Sequence, residues 1–158
     1  MTKPIPDGFH TVTAHLCIDG AAKAIDFYKK AFGAEEICRM DSPDGSGKLM
    51  HAEIKIGNSI VMIADDFPEW CGGKPRHPKA LGATPITMHV YTENCDKAIE
   101  KATKAGATVT MPAQDMFWGD RYGQVQDPFG HLWSFATHIA DLTPEQMMEG
   151  AAKMFSQG

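Results

Sequence analysis

The sequence has few cysteines, and their spacing is as informative as their number. Cys17, Cys38, Cys71 and Cys95 are the only four in 158 residues, and no two of them form a CxxC pair. Such wide spacing favours neither a disulfide framework nor a zinc finger. Reduced thiols in the cytoplasm, with Cys17 and Cys95 as small core residues, are the simplest interpretation.

Basic stripes and long apolar runs are also missing. Lys and Arg are scattered and the formal net charge is −5, so nothing indicates a nucleic-acid partner. No stretch approaches the roughly 20 apolar residues of a membrane span, and the first residues carry no apolar run typical of a secretory signal. We therefore expect a cytoplasmic protein with neither nucleic acid nor membrane as a partner. With 43% hydrophobic residues it can form one well-buried core.

The most informative feature that is present is an internal repeat. Residues 13–26 and 87–100 align without a gap, and five of the aligned pairs are identical, including His15 with His89 and Thr13 with Thr87. Chance would give roughly one identity in such a window. One half-domain unit therefore occurs twice, and the two histidines occupy equivalent places in the two copies.

Alternation and helical periodicity predict a βαβββ module in each copy. The first module has a helix from Ala21 that stops at Gly33, and strands at 10–18, 34–41, 48–56 and 59–64. The second has a helix from Cys95 that stops at Gly106, a long loop at 112–119, and strands at 85–92, 107–111, 121–126 and 131–137.

The modules span residues 8–66 and 83–140, so a single domain is predicted over 8–140 with a linker at 67–82. The tail comprises residues 141–158. Near its start, Thr143 is placed as an N-cap, Pro144 as the first helical residue and Gln146 three residues after the cap. A short helix with an apolar Met and Phe stripe is expected there. It packs either on its own domain or on a partner subunit.

A tandem βαβββ repeat that contains Ala-Ile-Asp-Phe-Tyr-Lys-Lys-Ala-Phe-Gly-Ala at 24–34 resembles the vicinal oxygen chelate superfamily. This is the glyoxalase I, bleomycin-resistance and extradiol-dioxygenase group. Segments 51–54, 116–123 and 127–133 resemble its PhnB-like, uncharacterised branch, and the whole resemblance covers about residues 10–138. It implies an α+β fold of two modules related by a pseudo-twofold axis, with curved mixed sheets enclosing a cavity, plus the short C-terminal helix.

The resemblance also implies where a metal would bind. Metal enzymes of the superfamily usually take one ligand from the first strand and one from the last strand of each module. Those positions fall on Thr13, Val61 or Met62, Thr87 and Ser134. None of these is a normal ligand for zinc, nickel or iron. We therefore expect no metal at the usual site and no glyoxalase I or dioxygenase chemistry.

Other polar residues remain available on the strands. Alternation places His15 on the face of Thr13, places His89 and Tyr91 on the face of Thr87, and puts His51 with Glu53. These side chains can contact a ligand, serve as acid and base, or form a shifted site for a divalent metal from His15, His89, His51 and Glu53. The alternative is a packed or solvated lining, with Glu53 paired to Lys55 or Arg39.

The loop before the third strand of the second module is the most unusual segment. Phe117 and Trp118 can stack on a planar ligand, and Arg121 can bind a carboxylate or phosphate. The alternative is structural: Asp120 pairs with Arg121, and Trp118 plugs the end of the barrel. Trp70 in the linker either closes over the same opening or anchors the linker.

Three functions follow from these features. The preferred one is a homodimeric, cofactor-free protein that binds a small organic molecule through His15, His51, Glu53, His89, Tyr91, Phe117, Trp118, Arg121 and Ser134. The second is a lyase, isomerase or oxygenase that uses the shifted metal or acid–base site, with His15, His89 and Glu53 as catalytic candidates. The third is a structural or regulatory dimer without a ligand.

Overall fold

A computed structural model describes all 158 residues, which form eight strands and four helices. The chain divides into two compact units, residues 1–85 with 128–130, and residues 86–127 with 131–158. Each unit contains one copy of the repeat around one four-stranded mixed sheet. The α+β fold with tandem βαβββ modules is therefore confirmed.

The first unit is built around a sheet of strand order β1-β4-β3-β2, in which β1 is parallel to β4 and the other pairs are antiparallel. Its elements are β1 (His15–Ile18), α1 (Ala21–Phe32), β2 (Glu35–Asp41), β3 (Leu49–Ile56) and β4 (Ser59–Asp65). Ile18, Ile54 and Ile63 are buried on the face that α1 covers. Because side chains alternate along a strand, the opposite face receives His15, His51 and Glu53.

The second unit repeats this arrangement with strand order β5-β8-β7-β6. Its elements are β5 (Thr87–Tyr91), α3 (Cys95–Ala105), β6 (Thr108–Asp115), β7 (Asp120–Gln126), β8 (Leu132–His138) and α4 (Pro144–Ser156). Trp133, Phe135 and Val125 are buried on the face that α3 covers. His89 and Ser134 lie on the other face, opposite each other in the register.

The predicted linker is held in place within the first unit. It contains a 3-10 turn at Pro68–Trp70 and the short helix α2 (Pro78–Leu81). The Asp66 carboxylate accepts hydrogen bonds from the backbone N–H groups of Arg76 and His77. The Trp70 ring stacks on Phe67 with centroids 4.7 Å apart, which agrees with an anchoring role.

Two predicted boundaries were wrong. The first strand begins at His15 rather than at residue 10, and β6 extends to Asp115 through half of the predicted loop, which leaves only residues 116–119 as the turn. β6 is an edge strand with register shifts on either side of Met111. An irregular edge strand tolerates Pro112, which cannot donate to a ladder, so the proline does not end the strand.

The C-terminal helix α4 belongs to the second unit. The predicted capping box is present, because Thr143 and Gln146 exchange side-chain to backbone hydrogen bonds. Gly150 lies directly against Phe117, so the helix contacts its own unit. Met148 and Phe155 nevertheless stay 72% and 77% exposed. No helix of the structure, α4 included, is long and apolar enough to cross a membrane.

The buried Asp65 carboxylate ties three elements of the first unit together. Its Oδ1 accepts hydrogen bonds from the backbone N–H groups of Gly20 and Ala21 at 2.9 and 3.1 Å, and its Oδ2 accepts one from Leu49 at 2.7 Å. The end of β4 therefore fixes both the start of α1 and the start of β3. Thr137 at the end of β8 takes the same role for α3, accepting from the Cys95 N–H at 2.8 Å.

We expect Asp65→Ala to lower the free energy of unfolding by about 3 kcal/mol, because it leaves three backbone donors without their charged acceptor. Urea denaturation followed by circular dichroism measures the loss. Asp26→Asn, an exposed change on α1, is the matched control and should stay within about 0.5 kcal/mol of the wild type. Equal effects of the two substitutions would contradict this role for Asp65.

Candidate functional site

A row of four side chains crosses the face of the first sheet that is opposite α1. The strand register aligns His15 with Met62, Met62 with Glu53, and Glu53 with Cys38. His51, two residues before Glu53 on β3, contacts it with Nε2 and Oε1 3.1 Å apart. The His15 and His51 rings meet edge to face with centroids 6.2 Å apart. The structure thus brings together three predicted site residues and adds Cys38.

A bulge in β2 places Cys38 in this row. Glu36 pairs with Ile54 and Cys38 pairs with Glu53, so two steps on β2 match one step on β3. Glu36 points to the helix side, where Lys29 and Arg39 hold its carboxylate and lower its pKa to about 2. The alternative pairing of Glu53 with Arg39 is therefore not present.

Burial and neighbouring charge act on two groups of this row. The pKa of His15 is lowered by burial first, and then by the charges of His51 and Arg76. The pKa of the Cys38 thiol is raised by partial burial and by the adjacent Glu53 carboxylate. With nothing bound, both groups therefore favour their neutral forms.

The second sheet carries the corresponding row with different chemistry. His89 aligns with Ser134, Ser134 with Gln124, and Gln124 with Met111. The His89 Nδ1 and the Ser134 Oγ are 2.7 Å apart and share a hydrogen bond. Since Nδ1 is engaged in this way, Nε2 is the ring nitrogen that can meet a ligand.

Aromatic rings extend this row on the same face, and we call Trp118, Tyr122, His89 and Tyr91 the aromatic platform. Tyr122 stacks on His89 with centroids 5.9 Å apart, and Trp118 meets Tyr122 edge to face at 5.5 Å. Tyr91 meets His89 edge to face at 4.8 Å and is 65% exposed. The platform is continuous, and every ring in it contacts at least one other.

The buried Asp120 carboxylate positions the outer part of the platform. It accepts hydrogen bonds from the Trp118 indole N–H at 3.1 Å and the Tyr91 hydroxyl at 3.3 Å, and it lies 2.8 Å from Nδ1 of His138. His138 also contacts Asp141 through Nε2 at 2.9 Å. Asp120 is therefore a positioning residue for two of the four rings.

Arg121 is held by acids of its own unit. Asp96 binds it through two nitrogens, one at 2.7 Å, and Asp115 binds Nη1 at 2.9 Å. The predicted pairing of Arg121 with Asp120 was wrong, because consecutive strand residues point to opposite faces and Arg121 points toward α3. Bonds to two carboxylates and to the Ala113 carbonyl engage Nε, Nη1 and Nη2 of Arg121, so a bidentate grip on an anion would have to displace some of them.

The geometry of two βαβββ modules agrees with the comparisons to known proteins. The family whose profile matches residues 8–135 is described as the glyoxalase/bleomycin resistance protein/dioxygenase superfamily. The chain belongs to this superfamily. An uncharacterised protein of Mycobacterium bovis is 46% identical over 147 residues, which cover 93% of each chain.

Solved structures of the superfamily type agree with the assignment. TioX from Micromonospora sp. ML1 is 28% identical with a TM-score of 0.62, covering 83% of this chain and 100% of TioX. The gene product of an Arabidopsis thaliana locus is 26% identical with a TM-score of 0.63, covering 81% and 98%. A PhnB protein from Bacillus cereus shares the fold at 16% identity, with a TM-score of 0.59 and coverage of 81% and 99%.

The metal positions implied by the superfamily do not fit a metal in this chain. Thr13 lies before the start of β1, and Thr87 is the first residue of β5. Val61 is buried on the helix side, and Met62 is the residue that faces His15 as Ser134 faces His89. The position in β4 is therefore Met62 and not Val61. Neither a thioether nor the hydroxyl of Ser134, which is bonded to His89, is a usual ligand for zinc or iron.

Four residues of the candidate sites were not predicted from the sequence: Cys38, Tyr122, Gln124 and His138. Alternation within β7 was a usable signal for Tyr122 and Gln124, since both lie an even number of positions from Asp120. No such signal existed for Cys38, because only the bulge turns it toward Glu53. His138 lies at the end of β8, and its partner Asp120 is 18 positions away in the sequence, which residue type alone does not reveal.

We expect the imidazole of His138 to titrate above 6.5, since hydrogen bonds to Asp141 and Asp120 raise its pKa. The imidazolium form then stabilises the fold fully at a pH below the pKa of the unfolded state. This contribution is lost as the pH rises through the raised pKa of the folded state. An NMR titration of the ring protons measures it directly. Asp141→Asn should move the pKa down toward 6.5, whereas Asp115→Asn should leave it unchanged. No response to Asp141→Asn would contradict the assignment.

Proposed function

We propose that this superfamily member binds a small, partly aromatic organic molecule, and that the aromatic platform of the second unit is the stacking surface. The observation that carries the proposal is the continuous run of rings from Trp118 through Tyr122 to His89 on one sheet face. A planar ligand can pack on such rings in an offset-stacked or edge-to-face arrangement, and a few polar groups then fix the orientation of the ligand.

The polar groups beside the platform are mostly neutral, which constrains the ligand. The Ser134 hydroxyl is buried against Nδ1 of His89, and the Gln124 amide oxygen accepts a hydrogen bond from Thr110, so the Gln124 amide N–H and the His89 Nε2 are the polar groups left beside the rings. The nearest carboxylate, Asp120, already accepts from Trp118 and Tyr91. We therefore propose a neutral or weakly polar aromatic ligand over a phosphate or a dicarboxylate.

Phe117 and Arg121 contribute by positioning other residues. Phe117 meets Trp118 edge to face with centroids 5.0 Å apart, and its backbone lies against Gly150 of α4. Arg121 joins β7 to α3 through Asp96. Both support the loop that carries Trp118, and neither needs to contact the ligand.

A second candidate function is supported by the first unit. His51 and Glu53 form a carboxylate–imidazole pair 3.1 Å apart, with the His15 ring beside them. Such a pair can remove and return a proton during a lyase or isomerase reaction. This candidate differs from simple binding because it requires that the ligand be changed chemically.

We expect 2-naphthamide to shift the NMR resonances of the Tyr122, His89 and Trp118 rings. Its saturated analogue, decahydro-2-naphthamide, should bind at least about threefold more weakly because it cannot stack. Tyr122→Ala should raise the Kd for 2-naphthamide about 3- to 10-fold.

Trp70→Ala is the matched control, because it removes an exposed aromatic ring of the first unit and should leave the Kd unchanged. Naphthamide binding that leaves the platform rings unshifted would overturn the proposal, and so would no binding at all. Product signals that appear during the titration would favour the enzymatic candidate.

We also propose that the protein is a cytoplasmic homodimer and that α4 contributes to the contact between subunits. Met148 and Phe155 are large apolar side chains that the chain itself leaves exposed. Exposed apolar groups that cluster on one helix are typical of an interface. None of the four cysteines forms a disulfide, which suits a reducing compartment.

Light scattering at micromolar concentration should give the mass of two chains for the wild type. Phe155→Asp combined with Met148→Asp should give the mass of one chain, because a charge on the apolar face opposes its burial. Gln157→Asp adds a charge beside the helix without touching that face, so this control should remain dimeric. A wild type of single-chain mass would contradict the proposal.

A further inference from the structure

The first unit gathers three different kinds of metal-ligating side chain on one sheet face, outside the positions that the superfamily uses. One ligand atom each from Cys38, His51 and Glu53 lie within 4.8 Å of one another. We propose that these three residues form a binding site for a zinc-like divalent transition metal. All three residues lie in the first unit, and none of them belongs to the aromatic platform.

The distances suit a tetrahedral metal after small side-chain movements. Bonds of about 2.0–2.3 Å place neighbouring ligands of a tetrahedral zinc roughly 3.4–3.6 Å apart. The His51 Nε2 and Glu53 Oε1 atoms are already 3.1 Å apart, held by one hydrogen bond. A cation takes the place of the proton between them, which passes to Nδ1 of His51 or to solvent. The Cys38 thiol releases its proton to solvent, and a rotation of its side chain closes the third bond.

The chemistry of the donor set selects the class of metal. A thiolate, an imidazole and a carboxylate together favour zinc or a similar transition metal over magnesium or calcium, which prefer oxygen. One thiolate and one carboxylate balance the two charges of the cation, so binding leaves no net charge on a half-buried surface. Glu53 and His51 are 18% and 31% exposed, which permits entry of the metal from solvent.

The backbone is arranged to bring Cys38 into the cluster. The bulge between Glu36 and Cys38 shifts the register so that Cys38, and not Ile37, aligns with Glu53. Bulges commonly turn a side chain toward a functional site. The thiol then lies beside the Glu53 carboxylate.

The second unit provides an internal reference for the same backbone positions. It has a register shift at the equivalent point of β6, and Met111 aligns with Gln124 as Cys38 aligns with Glu53. Tyr122, two residues before Gln124, takes the place of His51. None of these three is a good metal ligand, so the repeated fold alone does not require ligating residues in this row.

Three protein ligands leave one coordination position open, as in zinc sites that bind or activate a small molecule. The His15 ring lies next to His51 but outside the group of three ligands. It is therefore a neighbour of the cluster and not one of its ligands. His15→Ala should therefore preserve a stoichiometry of one metal per chain.

The test is titration of the untagged, full-length, chelator-treated protein with Zn²⁺ and with Co²⁺. We expect one equivalent to bind, with a thiolate-to-cobalt charge-transfer band and the intense visible bands of four-coordinate cobalt. Zn²⁺ should also raise the Tm, because it binds only the folded chain. Cys38→Ser should abolish the charge-transfer band, and His51→Gln and Glu53→Gln should each raise the Kd at least about tenfold.

Cys71→Ser is the matched control, since Cys71 is a free, partly buried thiol outside the cluster, and this variant should bind like the wild type. The conservative substitutions keep side-chain size, and circular dichroism confirms that each variant is folded. The proposal is overturned by the absence of stoichiometric binding, by an unchanged Kd in Cys38→Ser, or by loss of binding in Cys71→Ser. None of these outcomes bears on naphthamide binding by the second unit.

Discussion

The hydrogen bonds to the Asp65 carboxylate are the constraint on which the first unit depends. They join the end of β4 to the starts of α1 and β3, so they set the position of all three elements at one point. His15 aligns with Met62, three residues before Asp65, and Met62 aligns with Glu53. The buried carboxylate therefore fixes the position of β4 and, through the strand pairing, the positions of His15, Met62 and Glu53. Thr137 gives the second unit the same anchor with a neutral hydroxyl, which also donates to the Thr92 carbonyl.

Simple periodicity predicted much of this architecture because the buried faces follow it closely. Alternation in β3 separates Ala52 and Ile54 from His51 and Glu53, and the structure keeps that division. The internal repeat then transfers the same pattern to the second unit. Cys38 could not be found in this way, since continuous alternation in β2 would have aligned Ile37 with Glu53. A bulge has no reliable signal in residue type, and it changes which side chain faces the site.

The charged residues of the 116–122 segment show a different limit. Asp120 and Arg121 are adjacent, and adjacency suggested an ion pair. In a strand, however, neighbouring side chains point to opposite faces. Asp120 therefore accepts a hydrogen bond from Trp118 of the aromatic platform, while Arg121 reaches Asp96 at the start of α3. Knowing that the strand begins at Asp120 and not at residue 121 would have made this separation predictable. The error was therefore one of strand boundary and not of chemistry.

The two units show how far superfamily membership determines function. Both sheets have the same strand order, the same parallel pair and equivalent bulges, so their rows occupy equivalent backbone positions. One row reads His15, Met62, Glu53 and Cys38, and the other reads His89, Ser134, Gln124 and Met111. The first row carries an imidazole, a carboxylate and a thiol, whereas the second carries an imidazole, a hydroxyl and an amide beside aromatic rings. The fold thus fixes the backbone positions of both rows, and the chemistry of their side chains differs from one row to the other.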